Sequence, residues 1–147
     1  MTGIGVTEVR TRAVIFNRDG QLLVQHHPAE GFCRLPGGGL EVGETLADCV
    51  EREMKEETGL SVKARRLLWV RDFLSQENDY SIEVFFLADI VGGDFREKGP
   101  EGLEFFFVTT EDLEGMVFYP KALVPSLMTL RDDRETRELD VYVGSIN

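Results

Sequence analysis

The chain has 147 residues, 42% of them hydrophobic, and a formal net charge of −11. That length suits one domain spanning 1–147, and that apolar share suits a real core, which excludes a disordered chain. The acidic balance excludes a general nucleic-acid binder, which needs a positive footprint. No apolar run approaches the ~20 residues that cross a bilayer. Met1 to Arg10 has no basic start followed by an apolar stretch, so no signal peptide is read and a cytoplasmic location is expected. Cys33 and Cys49 form no Cys-x-x-Cys pair and are read as two reduced thiols.

In chain order, Thr11 to Phe16 reads as a strand, Asn17-Arg18-Asp19-Gly20 as a turn and Gln21 to His26 as the returning strand of a hairpin. Pro28 to Gly39 reads as a loop. Thr45 to Thr58 has helical composition and ends at Gly59, a good C-cap residue. Leu60 to Leu74 and Tyr80 to Val91 read as two strands joined by a turn over Gln76 to Asp79. Gly92 to Gly102 is a polar loop and Glu104 to Val108 a short aromatic strand. Thr110 is a candidate cap for a turn through Glu114. Lys121 to Leu130 reads as a second helix with Pro125 in its first turn, so its start falls later than Lys121. Val141 to Val143 could add a last strand. No repeat or linker divides the chain, and the order of elements fits an α+β or mixed α/β/α sandwich.

The helix carries the chemistry. Glu53, Glu56 and Glu57 sit at i, i+3 and i+4, where like charges repel by about 0.2–0.5 kcal/mol per close pair. A solvated acidic face would be the ordinary explanation. At roughly 100° per residue, however, Glu53 and Glu57 share the side of Leu46 and Val50, and Glu56 lies near Cys49. The solvated side is assigned to Asp48, Glu51, Arg52 and Lys55. Partly buried carboxylates must be paired or hold a metal. Arg52 reaches Glu56 at i+4 but cannot neutralise all three. Clustered oxygen ligands suit magnesium or manganese, and a bound cation would also offset the repulsion of an acidic chain for phosphates. Upstream, Leu35-Pro36-Gly37-Gly38-Gly39 lets backbone approach a ligand closely.

Gly38, Glu44, Arg52, Glu53, Met54, Glu56, Glu57, Gly59 and Leu60 meet every fixed position of Gly-x5-Glu-x7-Arg-Glu-U-x-Glu-Glu-x-Gly-U, with U bulky and apolar. The chain thereby resembles the Nudix (MutT-like) hydrolases. The resemblance implies the Nudix fold, a mixed β-sheet between helices. It implies Mg2+-dependent hydrolysis of a nucleoside diphosphate linked to a moiety X, with Mn2+ able to substitute. Glu53, Glu56, Glu57 and the Gly37 carbonyl would line the metal site. Glu53 would be the base, Arg52 would orient a glutamate and Glu44 would support the loop. Many members carry Trp where this chain has Cys33, and a Trp is common where Phe105 to Phe107 stand; both departures bear on substrate identity.

Outside the motif, Glu101 and Glu104 are candidates to complete the metal site, with a solvated loop acid as the equal alternative. His26 and His27 point to opposite faces of a strand and are read as ordinary, partly exposed histidines. Arg10, Arg12 and Arg34 could bind phosphate, Arg34 and Gly38 being the substrate-binding choices; taken singly, each arginine reads as a surface cation. Trp69, Phe73 and Phe105 to Phe107 read chiefly as core, and Tyr119-Pro120 as a pocket border. An ADP-ribose-like compound or a nucleoside triphosphate is the expected substrate. The alternatives are a non-catalytic nucleotide-sensing or protein-binding module and a diphosphate isomerase. The partners expected are a small nucleotide, no stable nucleic acid, no membrane and, by family analogy, a second copy in a homodimer.

Overall fold

A computed structural model describes residues 5–147. Its layers follow from strand alternation. Neighbouring residues of β1 (Thr7–Val14) and β2 (Leu22–His27) face opposite sides, and at Ala13–Phe16 and Leu22–Val24 both sides are buried. Ala13, Ile15 and Leu23 pack with Val50, Met54 and Phe105 in one core. Val14, Leu22 and Val24 pack with Trp69, Phe85, Leu127 and Leu130 in the other. Helix α1 (Leu46–Thr58) covers the first core and α2 (Val124–Asp132) the second. The result is the expected α/β/α sandwich.

The remaining strands are β3 (Phe32–Arg34), β4 (Gly37–Gly39), β5 (Leu60–Leu74), β6 (Tyr80–Gly93), β7 (Glu104–Val108) and β8 (Tyr142–Gly144). A mixed sheet has the order β4-β1-β6-β5-β8, and a smaller antiparallel sheet has the order β3-β2-β7. The expected β1–β2 hairpin survives only at its base. Asn17 and Gln21 close the turn, Phe16 bridges Leu22, and the two strands then enter different sheets. The expected loop of residues 28–39 contains β3 and β4, because the Gly-rich run pairs edge-on with β1. The long β5–β6 hairpin and its turn stand as expected.

Helix α1 is closed at both ends by its own sequence. The Thr45 hydroxyl accepts from Asp48 N at 3.1 Å and Asp48 Oδ2 from Thr45 N at 3.0 Å, a reciprocal cap. Gly59 takes the left-handed conformation at φ 77° and its N–H donates to Lys55 O. Glu51, assigned to the solvated side, instead accepts from Ala64 N at 3.0 Å and ties the helix to β5. Thr110 does not cap the turn that follows it; Thr109 and Asp112 do so reciprocally. The second helix begins at Val124 after a 3-10 turn over Lys121–Leu123, with Pro125 in its first turn. No helix is long and apolar enough to cross a membrane among the described residues.

One ion cluster lies inside the sheet. Arg12 Nε meets Glu83 Oε2 at 2.7 Å, and Arg71, opposite Glu83 in register, donates to Oε1 at 2.8 Å. Arg12 is 5% exposed, so the reading of it as a surface cation is corrected: the parallel pairing of β1 with β6 brings Glu83 to it across 71 residues of chain. Burial pushes the Glu83 carboxyl up, but the two guanidiniums outweigh that and hold it below the usual carboxylate range. A depressed carboxyl contributes stability above its unfolded value, near 4.5, and that contribution is lost as pH falls through the folded value. Glu83→Ala should therefore cost about 3–5 kcal/mol at neutral pH by urea unfolding, since it strands buried charge. The deficit should shrink in acid; a neutral-pH loss within the ordinary surface range of about 0.5 kcal/mol would show that the cluster is not holding the strands.

Candidate active site

The Gly-rich segment and α1 are held face to face. Gly37, Gly38 and Gly39 pair with Arg12, Thr11 and Arg10 of β1, which fixes the segment as an edge strand. A Cβ on Gly38 would stand 2.3 Å from Glu53 Cδ, so only glycine leaves room for that carboxylate. Arg52 makes the join. Its Nε and Nη2 clasp both oxygens of Glu44 at 2.9 and 2.8 Å. Its Nη2 also donates to Gly39 O at 3.0 Å, and its Nη1 to Glu53 at 2.9 Å and Glu56 at 3.1 Å. The Arg52 side chain is only 21% exposed, so its assignment to the solvated side is corrected: the loop folds over it. The Arg52 hydrogen bonds, then the bond from Glu41 N, lower the Glu44 carboxyl to about 2.

Glu57 is the carboxylate that Arg52 does not reach. It is 9% exposed, and its Oε2 is buried with no hydrogen-bond partner. Burial first, then the charge of Glu53 beside it, push its carboxyl up to about 8, against the pull of Arg12 and Arg34. Glu53 is half-buried, whereas Glu56 stands at the exposed edge of the group. Among the described residues, no three acidic, histidine or cysteine side chains are grouped closely enough to hold a metal ion by themselves. Arg52 draws Glu53 and Glu56 to itself, and the carboxylates form a wall rather than a cage. The orphaned Glu57 oxygen next to a second carboxylate is nonetheless the donor chemistry a hard divalent cation takes.

A pocket of about 190 Å³ adjoins Leu35 and is lined by Arg12, Arg34, Arg71, Glu83, Phe32, Phe85 and Tyr119-Pro120. Phe32 meets Tyr119 edge-on at 5.6 Å between ring centroids. The Arg34 guanidinium lies 5.9 Å from the Phe32 ring, and with the Gln25 amide turned so that its oxygen faces Arg34, that oxygen accepts from Nε and Nη2 at 3.1 and 3.2 Å. Burial, then the neighbouring Arg12, lower the Arg34 pKa, so its charge is under-compensated.

Of the other sequence candidates, Glu104 faces His26, Oε1 to Nδ1, at 3.5 Å, and Glu101 lies in an exposed 3-10 turn with φ 59°. His26 and His27 are both half-buried, as expected. Trp69 and Phe105 are core, and Tyr119-Pro120 borders the pocket. Cys33 and Cys49 are buried free thiols. Four residues were not legible as site residues: Gln25, Arg71, Glu83 and Arg96. Arg96 donates to the Glu56 carbonyl at 3.0 Å and so fixes the end of the acidic helix. No motif marks these four, because each acts through a partner on another strand or element.

Known proteins are similar to this chain in sequence and fold. The NUDIX domain sequence profile matches residues 6–127. An ADP-ribose pyrophosphatase of Methanocaldococcus jannaschii is 32% identical over 120 residues, covering 78% of this chain and 69% of that protein. The NAD-capped RNA hydrolase NudC of Vibrio atlanticus is 40% identical over 87 residues, 56% of this chain but only 30% of that protein's length. The crystal structure of an ADP-ribose pyrophosphatase from Streptococcus suis 89-1591 superposes with a TM-score of 0.69 at 27% identity, covering 92% of this chain and 97% of that one. With the profile spanning most of its length, the chain belongs to the Nudix hydrolase family.

Proposed function

We propose that the chain hydrolyses a diphosphate bond in a nucleoside diphosphate linked to X, with Mg2+ as the cation and Mn2+ able to substitute. The carrying observation is the buried, unpartnered Glu57 Oε2 beside Glu53. Magnesium keeps several waters and uses one or two carboxylates plus substrate phosphates, so neighbouring carboxylates with Arg12 and Arg34 near enough to act on Glu57 suit it. Glu53, Glu57 and the Gly37 carbonyl would hold the ion, and Glu56 would join by leaving Arg52. The cation supplies charge neutralisation at the phosphate oxygens and a more acidic water.

The chain's own groups do the rest. Glu53 accepts the proton of the attacking water; Arg52 holds its Oε1, so Oε2 is the oxygen left for that proton. Arg52 and Glu44 lock the helix to the Gly-rich strand and touch no substrate. Gly38 leaves the space into which Glu53 fits. Arg34 takes substrate phosphate oxygens, where its fork geometry suits them, and the aromatic pocket takes the adjoining moiety. An ADP-ribose-like compound or a nucleoside triphosphate fits that division. The names of two relatives, both ADP-ribose pyrophosphatases, favour the first.

The test is a panel of ADP-ribose, nucleoside triphosphates and NAD with and without Mg2+, reading released monophosphate. Cation-dependent cleavage of one compound names X; tight nucleotide binding with no cleavage of any would replace the reading with a sensing module. Glu57→Gln should lower turnover by more than the ~100-fold typical of losing an outer-shell metal partner, with the fold intact by circular dichroism. Normal turnover across a Mg2+ titration would remove Glu57 from the metal set. Gly38→Ala should displace Glu53 and lower kcat at least tenfold while shifting Tm by less than about 4 °C, the equivalent of about 1 kcal/mol or less; unchanged kcat would show that Glu53 is not poised where it stands.

Metal-free stability supplies a pH test. The Glu57 carboxyl is at about 8 in the fold against 4.5 for a free side chain. A raised carboxyl keeps its proton in the fold, so the folded chain binds more protons than the unfolded one between those values and stability falls as pH rises. In chelator, the Tm should drop between about pH 5 and about pH 8, and Glu57→Gln should flatten that slope. Parallel slopes for the two proteins would acquit Glu57.

A further inference from the structure

A groove larger than the pocket beside Leu35 lies away from the Gly-rich strand. Beyond the register pair Val14–Leu87 the chain continues from β1 into Phe16–Arg18 and along β6 into Asp89–Gly92. These segments, with Arg65 and Arg134, line a groove of about 710 Å³, within the range of roughly 300–1,000 Å³ that small-ligand sites occupy. Three guanidiniums, Arg18, Arg65 and Arg134, line it against one carboxylate, Asp89. That is a local charge of +2 on a chain whose net charge is −11.

Arg65 and Arg134 are placed rather than loose. A register shift in β5 between Ala64 and Arg66 leaves Arg65 as an inserted residue, and such bulges re-aim a side chain. Arg65 Nε donates to Asp89 Oδ2 at 2.8 Å, and Arg134 reaches the other oxygen at 3.9 Å. Arg134 also lies over the buried Phe16 ring, 5.7 Å from its centroid, and its carbonyl accepts from Arg66 at 3.1 Å. Arg18 has no carboxylate within 4.0 Å among the described residues. Three guanidiniums thus line one groove with a single carboxylate between them, an arrangement that an anion stabilises.

We propose that this groove is a second ligand site, separate from the diphosphate site, for a nucleoside monophosphate. A phosphomonoester carries about −1.5 to −2 at neutral pH, which matches the local excess, whereas each phosphodiester of a nucleic-acid strand carries a single charge. The guanidiniums take the phosphate as a fork. The exposed Ile90 and Val91 beside them give the ribose and base an apolar wall.

The experiment is an amide and arginine-Nε NMR titration of the full chain in chelator with AMP, inorganic phosphate and adenosine. AMP should give saturable shifts at Arg18, Arg65, Arg134 and Ile90 to Gly92, distinct from any at Phe32, Arg34 and Tyr119. The Arg65→Gln/Arg134→Gln double variant should bind AMP at the groove at least tenfold more weakly, with unchanged dispersion elsewhere and unchanged turnover of the substrate named by the panel. Adenosine should leave the groove unshifted. Absence of groove shifts with AMP, or equal affinity in the double variant, overturns the site. Inorganic phosphate binding as tightly as AMP overturns the nucleoside part, and a single-stranded RNA binding there more tightly than AMP overturns the monoester assignment. Because turnover is read separately, loss of groove binding with normal catalysis is distinguishable from failure of the proposed hydrolase reading.

Discussion

One guanidinium organises this molecule's site. Arg52 holds Glu44, Glu53, Glu56 and the Gly39 carbonyl at once. Without it, three carboxylates on neighbouring turns of one helix would repel each other in a partly desolvated place, where charge must be paired. With it, repulsion becomes a joint between the edge strand β4, the loop ending at Glu44 and helix α1. The geometry around Gly38 depends on the same joint, since the missing Cβ is useful only if Glu53 is kept against it.

Arg52 also sets what is left over. Its five donor hydrogens are committed away from Glu57, which stays buried beside Glu53 with an oxygen unanswered by protein. In the metal-free chain that group is most cheaply neutral, and burial and its neighbour hold its proton on. Two carboxylates held side by side with one oxygen unpaired are the donor chemistry that a hard cation takes. The same local logic, with the sign reversed, runs through the pocket of Arg12, Arg34 and Arg71 around Glu83, where guanidiniums outnumber carboxylates. A chain of net charge −11 thus gathers three guanidiniums in one pocket, and at contact distance such local charge matters more than the screened total.

Legibility followed the range of the interactions. The stop of α1 at Gly59, the β5–β6 hairpin and the spacing of Glu53, Glu56 and Glu57 arise within a few residues, and all were readable. The Arg52–Glu56 contact was readable too, because i and i+4 meet on any helix. Helical position was a poorer guide to exposure: Arg52 and Glu51 belong to the outer side of the wheel, yet a loop covers one and β5 engages the other. The Gly-rich run read as a loop because glycine has low strand propensity, and only the edge of β1 turns it into a strand.

By itself the sequence determined the acidic helix, the Gly-rich approach to it, the α/β/α arrangement and the family, since these rest on local spacing and on the period of apolar residues. The tertiary structure alone decided that Arg12 is buried on Glu83, that Gln25 lies opposite Arg34, that Arg96 fixes the end of α1, and that Glu57 rather than Glu56 is the unpaired carboxylate. The physical reason is that desolvation and pairing depend on which distant strands lie side by side. A parallel crossover that sets residue 12 beside residue 83 leaves no mark in the residues near either one.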